Sequence, residues 1–225
     1  MTERQDGSPL ARRSFLSRLG AGAAAFSAAF AAGAVPARAQ APQGGPGWQA
    51  ARHAEDDWMD AIPGVHRFLF DNVDASGFDG AMLYANNFID VNRNSYGVEN
   101  SDLAVIIVAR HNSTPFAFND AMWEKYGEAF AGRMGFTDPQ TSAAPTRNVY
   151  GQRLDGLFAK GLRLAVCGVA TRGFAGVAAR AVGGDTNAVY EELVDNFLPN
   201  AHLTPAGIVA VNRAQERGYT FSFVA

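Results

Sequence analysis

The sequence predicts a three-layer α/β/α domain built on a mostly parallel, Rossmann-like sheet of about five strands. Leu103–Ala109 and Leu162–Cys167 are apolar runs, as expected of strands covered by helices on both faces rather than of a half-exposed sheet. Segments with helical spacing of apolar residues lie between these runs, a first strand and a last one. Strands alternating with helices are the pattern of parallel α/β layers.

The first strand is Val65–Val73, rich in β-branched and aromatic residues and closing on Asp/Asn. Asp79 is expected to cap a helix reaching about Asn94, with Met82, Ala85 and Ile89 on one face. After Leu103–Ala109, the stretch from Phe116 to about Gly135 is helical, and its Trp123, Tyr126 and Phe130 stripe belongs to the core. Asp138–Asn148, with Pro139 and Pro145, is a loop. A helix over Val149–Lys160 ends at Gly161, the strand Leu162–Cys167 follows, and Gly168–Ala181 is a helix of small residues. Asp185 starts a helix with Val189, Leu193 and Phe197 aligned, and a short strand lies near His202-Leu203. Thr204-Pro205 reads as a cap followed by proline at the first helical position, Gly218 closes that helix, and Tyr219–Val224 is the last strand.

Ahead of the domain, Ala11-Arg12-Arg13-Ser14-Phe15-Leu16 matches a twin-arginine export signal. An Ala/Gly-rich apolar run from Leu19 to Val35 and the small-residue site Ala37-Arg38-Ala39 complete it. The run is too short and too weakly apolar for a membrane span of roughly 20 residues, so a cleaved signal is favoured over an anchor. The expected organisation is a signal peptide over 1–39, a flexible leader over 40–62 containing Pro42-Gln43-Gly44-Gly45-Pro46-Gly47, and the α/β domain over 63–225. The expected location is the bacterial periplasm, with no stable membrane span after cleavage.

Cleavage would leave 186 residues with 14 basic against 20 acidic side chains, the signal having removed five Arg and two acids. No Lys/Arg-rich run survives, which argues against a nucleic-acid partner. The four histidines, His53, His66, His111 and His202, lack metal-ligand spacing, so no metal is expected. Gly168, Gly173 and Gly176 lack dinucleotide-fingerprint spacing, Gly-x-Ser-x-Gly is absent, and no cofactor is expected. Asp71, Asp74 and Asp79 could line the carboxyl edge of the sheet, with turn and cap roles favoured.

The single cysteine, Cys167, ends a central strand immediately before a helix, on the edge where ligands and reactive groups collect in open α/β sheets. A helix N-terminus and the nearby Arg172 both place positive potential near a thiolate. His111 ends a neighbouring strand and is expected near Cys167. Composition alone favours an inert, buried thiol.

The segment Lys160-Gly161-Leu162-Arg163-Leu164-Ala165-Val166-Cys167-Gly168-Val169-Ala170-Thr171-Arg172-Gly173 resembles the cysteine segment of the DsrE/DsrF-like (YchN-like) sulfur-relay family. Thr204-Pro205-Ala206-Gly207-Ile208-Val209 and Gln215-Glu216-Arg217-Gly218-Tyr219 are similar to that family's closing helix and final strand. The resemblance implies a sulfur-accepting, persulfide-bearing role for Cys167, and Arg172 and the helix start, by their positions in the chain, are the candidate stabilisers of that anion. It also implies homo-oligomers, trimers or hexamers, and a sulfur donor or acceptor protein as partner. Whether the chain is an enzyme is left open: the alternative is a non-catalytic binding or assembly module that keeps the fold around a structural cysteine.

Overall fold

Leu103–Ala109 is buried along its whole length, and the reason is its place in the middle of the sheet. A computed structural model describes Gly47 and residues 49–225, of which Ala50–Ala225 form one compact unit. The expected signal over 1–39 and most of the following Pro/Gly stretch lie outside the described residues. Five strands, β1 (His66–Asn72), β2 (Leu103–Ala109), β3 (Arg163–Cys167), β4 (Ala201–Thr204) and β5 (Thr220–Val224), pair in the order β4-β3-β2-β1-β5. Every pairing is parallel. The helices are α1 (Trp58–Ala61), α2 (Ala75–Tyr96), α3 (Asp120–Met134), α4 (Gly151–Ala159), α5 (Gly168–Val182), α6 (Thr186–Asp195) and α7 (Gly207–Glu216). The three-layer α/β/α expectation is met.

The two faces of the sheet are covered unequally. Phe70, Val105, Ile107, Leu164 and Val166 face a large core shared with α2 to α6. Leu69, Ala104, Ile106, Val108 and Ala165 face a smaller one, closed by Met59 of α1 and by Ala210, Val211 and Ala214 of α7. The α3 stripe is core as expected: Trp123 and Phe130 are fully buried. They extend an aromatic chain from Phe78 through Phe116 to Phe174, each ring 5.0–5.7 Å from the next.

Four element boundaries differ from the sequence reading. Asp74, not Asp79, caps α2, its carboxylate accepting the Gly77 N–H at 2.6 Å. Asp79 lies within the helix and pairs with Arg153. Helix α3 starts at Asp120 because His111–Ala117, which contains Pro115, forms a 3-10 segment instead. Thr204 does not cap α7; its hydroxyl donates to Val166 O at 3.0 Å and ties β4 to β3, so α7 begins at Gly207 without a side-chain cap.

The fourth difference concerns the leader, expected to be flexible to residue 62. Its last part packs on the domain. Met59 is fully buried, Trp58 stacks on His202 at 4.3 Å, and Tyr219 Oη donates to Met59 O at 2.8 Å. Burial pushes the Tyr219 phenol up to about 12, Arg67 opposing and Asp60 adding to the shift. A folded pKa above the unfolded value near 10 means stability held below that value and lost as the pH climbs toward 12. Tyr219→Phe should therefore flatten the decline in stability between about pH 10 and 12. Denaturant titrations across that window check this, and parallel wild-type and variant curves would refute it.

Candidate functional site at the carboxyl edge of the sheet

Parallel strands end on one edge, and here that edge gathers residues distant in sequence. β3 delivers Cys167, β2 runs into Arg110 and His111, β1 ends at Asp71-Asn72, and β4 leads through Pro205 to the start of α7. Between them lies a pocket of about 420 Å³, lined by Cys167, Arg110, His111, Arg133, the first turn of α5 and the first residues of α7.

Cys167 is the N-cap of α5, with extended backbone and Sγ accepting the Ala170 N–H at 3.4 Å. The Thr171 hydroxyl donates to its carbonyl at 2.9 Å and fixes the strand-to-helix turn. The adjacent Gly168 permits the close approach of β4, since a Cβ there would sit 2.9 Å from Thr204 O. Cys167 is 7% exposed, so the partial exposure expected of a reactive thiol is reduced to a small window on the pocket.

Arg110 is held in place. Its Nε and one terminal nitrogen donate to the two Asp71 carboxylate oxygens at 2.7 and 2.9 Å, and Asp71 is buried. Such bidentate geometry fixes the guanidinium plane as well as its position. The Asp71 hydrogen bond raises the Arg110 pKa, burial opposes it, and the Asp71 charge and, last, Cys167 add to the rise. The Arg110 stem lies against Gly207, where a Cβ would come within 2.5 Å of it. His111 follows in the left-handed region at φ 53°, turning the chain out of β2 at the pocket wall.

Arg133, from the last turn of α3, reaches the pocket with its guanidinium 4.1 Å over the Phe174 ring. Burial, with the charge of Arg180 adding, lowers its pKa.

The structure thus brings Cys167 and His111 to one pocket but does not bring Arg172 there. Arg172 donates to Asn187 Oδ1 at 2.9 Å and stacks at 4.1 Å over Tyr190, lining a neighbouring cavity of about 470 Å³ with Leu203 and Pro205. Of the three acids, Asp71 lies at the edge, whereas Asp74 is a cap and Asp79 a surface partner. Arg110 and Arg133 are the residues that sequence reasoning missed. Arg110 carried a signal, following a buried strand directly beside His111; Arg133 carried none.

No group of three or more His, Cys, Asp or Glu able to hold a metal ion occurs among the described residues. No helix among them is long and apolar enough to cross a membrane.

No family model and no curated protein matches the chain. Among solved structures it is similar to a protein of unknown function, MTH1491, from Methanobacterium thermoautotrophicum. Identity is 13%, over 70% of this chain and 98% of that one, with a TM-score of 0.37. A likeness this distant says nothing of function.

Proposed function

We propose that the chain is an exported, DsrE-like sulfur carrier in which Cys167 accepts a sulfane sulfur and passes it on. The observation supporting this most is that the only thiol of the chain opens onto a pocket whose charged lining is cationic. Cations and a helix start around Sγ suit the negative charge that a thiolate or persulfide carries. In loading, the Cys167 thiolate attacks the outer sulfur of a donor persulfide R–S–SH. A new S–S bond forms at Cys167 Sγ, the donor S–S bond breaks, and its electron pair leaves on R–S⁻. Oxidation levels are exchanged within the pair, so no external oxidant is consumed. In this reading Arg110 and Arg133 take the anion-stabilising role that the sequence had suggested for Arg172.

Incubating the protein with polysulfide and weighing it intact should show additions of about 32 Da that a reductant removes. Cys167→Ser should abolish them. Identical spectra for both proteins would end the sulfur-carrier reading. Export is part of the proposal, and fractionating cells that express wild-type or Arg12→Lys/Arg13→Lys chains tests it; full-length protein in the cytoplasm in both cases refutes it.

A second reading rests on the burial of Cys167 and the Ala170 N–H that caps onto its sulfur. These suit a structural thiol in a non-catalytic binding or assembly module. Labelling of Cys167 only after denaturation would favour this second reading.

A further inference from the structure

Arg133 is a half-buried cation with no carboxylate beside it among the described residues. Among the described residues none of the ion pairs includes it, and its one close partner is the Phe174 ring. Its guanidinium is seated against two residues of α5. Gly173 vacates the space, since a Cβ there would lie 2.6 Å from one guanidinium nitrogen, and Phe174 supports the planar group from below. Burial and the like charge of Arg180 both act against the cation. A cation kept partly out of water without a counter-charge costs free energy that an anion in the pocket would offset.

The rest of the lining points the same way. Arg110 spends two nitrogens on Asp71, and its third finds no partner among the described residues. Helix α7 presents the N–H groups of its first turn at Gly207 and Ile208 with no side-chain cap, and the positive end of its dipole with them. His111 adds a further donor, and no carboxylate lines the cavity. Asp71 pairs with one guanidinium only, so no lining carboxylate matches the charge of Arg133.

We propose that this pocket binds a tetrahedral oxyanion of the sulfate or phosphate class, clamped by Arg133 and the start of α7 beside Cys167. A guanidinium and a set of backbone N–H groups are the donors that match such an ion. The cavity, about 420 Å³ with the exposed Val169 and Ile208 at its rim, is of small-molecule size and also has room for the organic part of a monoester. The free ion and the monoester are thus two sources of the same chemistry.

The full-length protein is titrated calorimetrically with sodium sulfate, sodium phosphate and phenyl phosphate at constant ionic strength in chloride. Saturable binding at one site per chain is expected, weakened roughly tenfold or more in Arg133→Gln, where a charge-assisted pair is lost. Stronger binding of phenyl phosphate than of either inorganic ion identifies a monoester, and equal or weaker binding the free ion. Arg172→Gln, in the neighbouring cavity, should bind as wild type does, and the calorimetric readout involves no sulfur transfer, which separates this result from the sulfur-carrier reading. Should Arg133→Gln not fold, slower labelling of Cys167 in wild type when the same ligands are present supports the proposal instead. No binding above the chloride blank, equal affinity in a folded Arg133→Gln, or unprotected labelling would overturn the proposal.

Discussion

Phe116→Ala is expected to destabilise the fold by about 3–5 kcal/mol, the cost of emptying a large aromatic site in a core that cannot collapse around it. Phe116 is fully buried and meets four rings: Phe78 at 5.0 Å, Trp123 at 5.7 Å, Phe136 at 5.3 Å and Tyr150 at 4.7 Å. Those rings come from α2, α3 and the loop segments on either side of residues 138–148, so the cavity would loosen several elements together. The site would feel it too, because Phe116 lies in the same 3-10 segment as His111. Guanidinium denaturation should show a lower midpoint with an unchanged slope. Tyr96→Ala serves as the control: Tyr96 is exposed, and its loss should fall within about 0.5 kcal/mol. Similar midpoints for the two variants would show that the aromatic chain is not the stabilising centre of the larger core.

Asp71→Asn should be the second largest loss, about 2–3 kcal/mol, because it leaves Arg110 with a neutral partner in a mostly dry place. Asp71 is 3% exposed and accepts both Arg110 hydrogen bonds, one oxygen for each. An amide can accept one of the two and must turn its N–H₂ toward the guanidinium for the other. The carboxylate is thus both counter-charge and orienting group for the arginine nearest Gly207. Combining Asp71→Leu with Arg110→Met removes both charges and should recover part of the stability, since neither ion is then left uncompensated. A cost for Asp71→Asn within about 0.5 kcal/mol, or no recovery in the double variant, would refute this account of the pair.

The local patterns of the chain were enough to place all five strands and the layered architecture. An apolar run such as Leu103–Ala109 has one low-energy fate, the middle of a covered sheet, and the Trp123, Tyr126 and Phe130 spacing has one, an inward helix face. Cap residues were less legible. Asp74 and Asp79 offer the same carboxylate, and Thr204 offers the same hydroxyl to a helix or to a strand; the neighbours that assemble around each decide which bond forms. Reading residues 40–62 as one leader hid Met59 and Trp58, whose partners in α7, β4 and Tyr219 lie at the far end of the chain.

The sequence by itself determined that Cys167 ends a central strand at the carboxyl edge and that His111 ends the strand beside it. Helical geometry could have corrected Arg172. Five positions beyond the cap, at 3.6 residues per turn, is roughly 140° around the helix, on a face turned toward α6 and Tyr190. Tertiary structure alone decided the rest of the pocket. Arg133 comes from α3, the uncapped N–H groups from α7 and the counter-charge for Arg110 from β1, and no local periodicity links them. Side chains that meet only across strand ends and helix termini leave no shared pattern in the chain, because what joins them is the parallel sheet that ends every strand on one edge.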